Sequence, residues 1–75
     1  EHARFGIRVN AVAPGFTLTA MADRDAAMMP GWKQEQIDET PMHRGADPVE
    51  IARAVVWLAS DDASFVTGQT LAIDG

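Results

Sequence analysis

The residues best suited to lie against a ligand stand where an apolar run stops. Val9-Asn10-Ala11-Val12-Ala13 leads into Pro14-Gly15: a rigid residue, then one without a side chain, which lets backbone pass close to a flat molecule. A plain strand-to-loop turn uses the same two residues, so spacing alone leaves both readings open. Phe16, Met21, Met28, Met29 and Trp32 suit the wall of an apolar substrate pocket, since thioethers and aromatic rings adapt to varied shapes. On short helices, the same residues equally serve to pin the helix to its core. His43 and Arg44 could meet an anionic substrate or simply lie in a solvated loop. Asp61 and Asp62 resemble paired carboxylates, yet adjacent positions face apart and acids favour the positive end of a helical turn. No catalytic residue is expected among them.

Other chemistries are disfavoured by composition. The chain has no cysteine, which removes disulfides, thiolate metal sites and cysteine nucleophiles together, and isolated His2 and His43 do not build a zinc site. Six Lys plus Arg against eleven Asp plus Glu give a net charge of -5, with the basic residues scattered singly, so nucleic acid is not an expected partner. With 47% hydrophobic and 23% charged residues, and no apolar run approaching the roughly 18 residues of a membrane span, the expectation is a soluble protein without a membrane partner. Absence of cysteine is compatible with a cytoplasmic location. The sequence runs from Glu1, which is not Met, to Asp74-Gly75 directly after an apolar run, and reads like a piece of something longer.

Positioning these residues requires an α/β arrangement. Glu1 to Phe5 reads as the last turn of a helix with Gly6 as its left-handed stop. Ile7 to Ala13 follows as an interior strand covered on both faces at its far end. Two short helices are expected next, one from Thr19 or Leu18 through about Met28 and another over Gly31 to Glu39, in a stretch fit to move as a lid. Asp47, Pro48 and Glu50 form a capping box that opens a helix reaching Ala59. Its stripe Ile51-Val55-Leu58 should pack on a sheet, leaving Ala52-Val56-Ala59 and Trp57 for another layer or subunit. Ser60 caps a short turn at Asp62 or Ala63, with Phe65 and Val66 free to anchor it, and Gln69 to Ile73 closes as a strand.

Three ordered segments, Gly6-Ile7-Arg8-Val9-Asn10-Ala11-Val12-Ala13-Pro14-Gly15, Arg44-Gly45 to Glu50-Ile51-Ala52, and Leu58-Ala59-Ser60-Asp61-Asp62-Ala63-Ser64-Phe65-Val66-Thr67-Gly68-Gln69, closely resemble the C-terminal third of the short-chain dehydrogenase/reductase family. The resemblance covers the chain apart from about Ala20 to Met42. It implies a C-terminal fragment of a doubly wound Rossmann-type parallel sheet: the last two strands, the connecting helix and the substrate-loop helices. Residues 1–75 would then be one portion of a single NAD(P)-binding domain with its substrate loop at about 16–45, and no second domain. The family's Gly-rich phosphate turn and its Ser, Tyr and Lys catalytic groups lie outside these residues.

The family's cofactor, NAD or NADP, is implied with it, together with a small alcohol or carbonyl substrate. By resemblance, Pro14 and Gly15 line the nicotinamide pocket, and the Thr17 backbone meets the carboxamide with one donor and one acceptor. Thr19 matches the threonine of Pro-Gly-x-x-x-Thr, whose hydroxyl bonds the carboxamide or the cofactor phosphates; a helix cap is the plainer role. Similar enzymes pair subunits through the last helix and strand, which implies a homodimer or homotetramer. A non-catalytic structural or oligomerisation segment of an inactive family member is the second reading. An independent small binding domain is the third.

Overall fold

The computed structural model describes residues 2–75. Two short strands, β1 (Ala11–Pro14) and β2 (Thr70–Ile73), pair in parallel, with Ala11 opposite Thr70 and Pro14 opposite Ile73. Between them run α1 (Ala20–Met28), α2 (Trp32–Glu39) and α3 (Pro48–Ala59), and then a 3-10 turn at Asp61–Ala63. The opening residues form a 3-10 turn, His2–Phe5, stopped by Gly6 at φ +79°. That is the left-handed stop expected there, although the turn is 3-10 rather than α.

The strand expected over 7–13 starts later, and the reason is chemical. Over residues 8–10, side chains occupy much of the bonding that a backbone ladder would use. The Arg8 guanidinium donates to the carbonyls of Leu58 (2.8 Å), Ser60 (3.1 Å) and Val66 (3.2 Å). Asn10 Nδ2 donates to Val66 O at 3.0 Å while its Oδ1 accepts the Gln69 N–H at 3.0 Å. Thr67 Oγ1 accepts the Val9 N–H at 3.2 Å. Regular pairing begins where side chains stop substituting for backbone. Pro14 belongs to β1 rather than to the turn after it; lacking an N–H itself, it is followed by Gly15, whose N–H donates to Ile73 O at 3.0 Å.

The start of α3 follows its sequence directly. Asp47 Oδ1 accepts the Val49 N–H at 3.1 Å, and Glu50 Oε1 accepts the Asp47 N–H at 2.9 Å, closing the reciprocal box. The packed stripe differs from the expected one. Leu58 is buried and Ile51 and Ala54 are half-buried, whereas Val55 is 44% exposed. The spacing i, i+3, i+7 turns the helix so that its end rests on the Asp61–Ala63 turn, where Ala63 is buried. Ser60 Oγ accepts the Asp62 N–H at 3.2 Å, as its cap position predicts. Phe65 does not anchor that turn, for its side chain is fully exposed and Ala63 fills the anchoring place.

α1 packs against α2. Phe16 meets Trp32 edge to face, with ring centroids 5.6 Å apart, which pins α2 to the stretch leaving β1. The coverage expected around β1 is absent among the described residues, for only Val12 of its four residues is even half-buried. The Cα radius of gyration is 15.6 Å, against about 11 Å for a compact domain of this length. The molecule is elongated, 50 × 22 × 20 Å, and its layers are not closed over a core of their own.

Candidate functional site

The four candidate residues lie on one continuous path from the end of β1 to the start of α1. Gly15 is the tightest point. A β-carbon there would stand 2.8 Å from the Asp74 Cα and 3.3 Å from its carbonyl oxygen. The missing side chain therefore makes room for the neighbouring backbone after β2, which explains the glycine without a ligand. Pro14, on the strand just before, stays exposed.

Thr17 forms an isolated parallel bridge with Ala46. The bonds of that bridge run to its neighbours: Ala46 N–H donates to Phe16 O, and Leu18 N–H donates to Ala46 O, each at 2.9 Å. In parallel geometry this leaves the N–H and C=O of Thr17 itself directed away from Ala46. Neither has a hydrogen-bond partner among the described residues. The Thr17 hydroxyl turns back to donate to Gly15 O at 3.0 Å, fixing the corner between the two residues.

Thr19 caps α1, its Oγ1 accepting the Ala22 N–H at 3.1 Å. The plainer role is thus realised. A hydroxyl that accepts one bond keeps its proton for a second partner, and Thr19 is exposed.

The other candidates separate. Arg44 is engaged by Glu50 in a bidentate pair, at 2.7 and 2.9 Å, and is committed to the α3 cap rather than to a substrate. This pair and the Asp47 N–H hold the Glu50 carboxyl at about 2, well below its ordinary value. His43 adopts φ +54° in the turn before that arginine and is exposed. Met21 and Met28 are largely exposed on α1, while Trp32 is half-buried against Phe16. Asp61 and Asp62 open the 3-10 turn as exposed acids. Among the described residues no group of three or more His, Cys, Asp or Glu is placed to hold a metal ion, and no helix is long and apolar enough to cross a membrane.

A cleft of about 460 Å³ opens elsewhere, between β1 and α3, lined by Arg8, Asn10, Val12, Val55 and Leu58. None of the four candidates lines it, and its Arg8 and Asn10 are occupied with backbone carbonyls. Beside the candidate path lies a smaller hollow of about 100 Å³, between Phe16, Ala46, Ile73 and Asp74.

All 75 residues match the family described as enoyl-(acyl carrier protein) reductase. The chain belongs to the short-chain dehydrogenase/reductase family. It is 48% identical over 75 residues to an A-factor type gamma-butyrolactone 1'-reductase (1S-forming) of Streptomyces virginiae, covering 100% of this chain and 29% of that one. It is 43% identical over 70 residues to a 3-alpha-(or 20-beta)-hydroxysteroid dehydrogenase of Mycobacterium tuberculosis, covering 93% of this chain and 24% of that one. The crystal structure of a 3-oxoacyl-[acyl-carrier protein] reductase from Brucella melitensis superposes with a TM-score of 0.85 at 44% identity, over 95% of this chain and 25% of that one. The α/β architecture with its parallel strand pair is thus part of a Rossmann-type fold. The chain spans less than a third of the length of these relatives.

Within this short-chain dehydrogenase/reductase segment, the sequence signals missed Gly45, Ala46 and Asp74. Gly45 stood in the quoted family motif, and its position just before a helix cap was the available clue. Ala46 and Asp74 act through backbone, which leaves no mark on residue type.

Proposed function

We propose that the complete protein is an NAD(P)-dependent oxidoreductase that interconverts an alcohol and a carbonyl by hydride transfer. In this reading, residues 1–75 belong to one NAD(P)-binding domain. The observation that carries it is the backbone of Thr17, whose N–H and C=O both face away from Ala46 without partners among the described residues. A nicotinamide carboxamide presents one acceptor oxygen and an amino donor, and the N–H and C=O of one residue directed to the same side complement both. The residues present therefore fit the group.

When bound, the dinucleotide supplies the hydride chemistry. The protein's own part here is placement. Thr17 orients the nicotinamide ring through its backbone, with the corner held by its hydroxyl on Gly15 O. Thr19 offers its remaining hydroxyl proton to the carboxamide or a phosphate, and Pro14 and Gly15 form the wall beneath the ring. The helices α1 and α2, rooted at the Thr17–Ala46 bridge, close over a small alcohol or carbonyl substrate and exclude water.

The test compares dinucleotides on the complete protein. The acetylpyridine analogue keeps the acceptor oxygen and lacks the amide donor, so it should bind about fivefold more weakly than the natural cofactor. Equal affinity would remove the Thr17 assignment.

A second reading draws on α3, whose Val49, Val56 and Trp57 remain 45%, 67% and 45% exposed. This face suits a contact between copies of the complete chain, a homodimer or homotetramer, and it would serve equally in a family member without catalysis. A complete protein that assembles but binds neither NAD nor NADP would establish that reading in place of the first.

A further inference from the structure

The geometry points to Gly45 as a positioning residue for the cofactor-facing backbone of Thr17, an inference that rests on the function proposed above. Gly45 is buried, and its φ lies outside the left-handed region, so backbone freedom does not explain it. Space does. A β-carbon on Gly45 would stand 2.7 Å from Leu18 Cδ2, 2.9 Å from Leu18 Cγ and 2.9 Å from Phe16 Cε2. The side chains on either side of Thr17 thus lie over the glycine.

Gly45 directly precedes Ala46, whose N–H and C=O bond Phe16 and Leu18 at 2.9 Å each. The two segments are held together by these bonds and kept at that separation by the glycine. Thr17 lies between the two bonded residues, and its own amide and carbonyl point to the far side. Any side chain at position 45 pushes Phe16 and Leu18 outward. Phe16 is held by its contact with Trp32, so the displacement falls on Leu18 and on the peptide next to it. Shifting an aligned donor and acceptor by a few tenths of an ångström weakens both bonds to a rigid carboxamide.

The predicted signature is a loss of discrimination rather than a uniform loss of binding. On the complete protein, dissociation constants are measured for the natural cofactor and for its acetylpyridine analogue. Wild type should prefer the natural cofactor about fivefold, and Gly45→Ala should bring that ratio close to one. The double variant Gly45→Ala with Leu18→Ala removes the two leucine contacts, leaving the one with Phe16 Cε2 at 2.9 Å, and should restore most of the ratio, although it loses more packing than either single change. A role limited to stability would leave the ratio untouched throughout.

The outcomes are separable. Wild type without preference overturns the Thr17 assignment itself. A preference that persists in Gly45→Ala overturns the role of Gly45 alone, as does a double variant that stays near one. If Gly45→Ala does not fold, the double variant decides: folded protein with most of the wild-type ratio supports the inference, while a lost ratio or no folding overturns it.

Discussion

Gly15 and Asp74 approach so closely that a β-carbon on the glycine would lie 2.8 Å from the aspartate Cα. Backbone on both sides is held by the bond from Gly15 N–H to Ile73 O at 3.0 Å, so neither segment yields easily. Gly15→Ala should destabilise the complete protein by about 1–3 kcal/mol, as overpacking typically does. Denaturant unfolding checks this, and an unchanged midpoint would mean the strands separate there at no cost.

On the function proposed above, Thr19 carries two separable duties. As the α1 cap it accepts from Ala22 N–H, and Thr19→Val should cost about 1 kcal/mol of stability through the lost cap. The lost proton donor should also weaken NAD(P) binding several-fold. Thr19→Ser keeps both functions and should match wild type in both assays. A valine variant that is less stable but binds cofactor normally would leave Thr19 as a cap alone.

Glu50 provides a pH signature. Its carboxyl is held at about 2 by Arg44 first and then by the Asp47 N–H, below an ordinary value of 4.5. Because the folded value is the lower one, the contribution is fully present above about 4.5 and is lost as pH falls from there toward about 2. Both partners are partly exposed, so the effect is modest and salt-sensitive. Melting temperatures across this acid range, compared with Glu50→Gln, should show a component present in wild type and missing from the variant.

Residues 1–75 alone should unfold without a cooperative transition. Only Ala22, Leu58 and Ala63 are buried apolar residues among those described, too few to offset the ordering of the chain. A sharp, reversible melt by circular dichroism, from a sample whose mass is that of a monomer, would contradict this.

Trp57 tests the proposed assembly. It is 45% exposed beside Val56 on α3, and a two-fold contact would use that patch twice. Trp57→Asp should shift the complete protein to smaller species by light scattering. An unchanged mass would place the subunit contact elsewhere.

The helix start at Asp47-Pro48 was legible because its capping box is written in side chains that act within one turn. The Thr19 cap and the Gly6 stop were legible for the same local reason. The strand start was not, since Arg8 and Asn10 find partners 50 to 59 residues away, a relation that no local pattern encodes. Periodicity pointed to Val55 in the packed stripe of α3, whereas Ala54 is half-buried and Val55 exposed, because i+3 and i+4 positions share a helix face and only contacts distant in sequence choose between them. At the candidate site, residue types marked Pro14, Gly15 and Thr19, whereas the orientation of the Thr17 backbone depends on a bridge to Ala46.

That bridge has an evolutionary consequence. Because Ala46 is bonded to Phe16 and Leu18 on either side of Thr17, everything between them begins and ends at one place, as an inserted passage does between two brackets. Lengthening a loop whose ends are already joined costs little, with each doubling adding only about 0.6 kcal/mol. The segment from 20 to 44 can therefore be resized while β1, α3 and β2 keep their register, and on the function proposed above a substrate preference could change on a frame that does not have to be rebuilt.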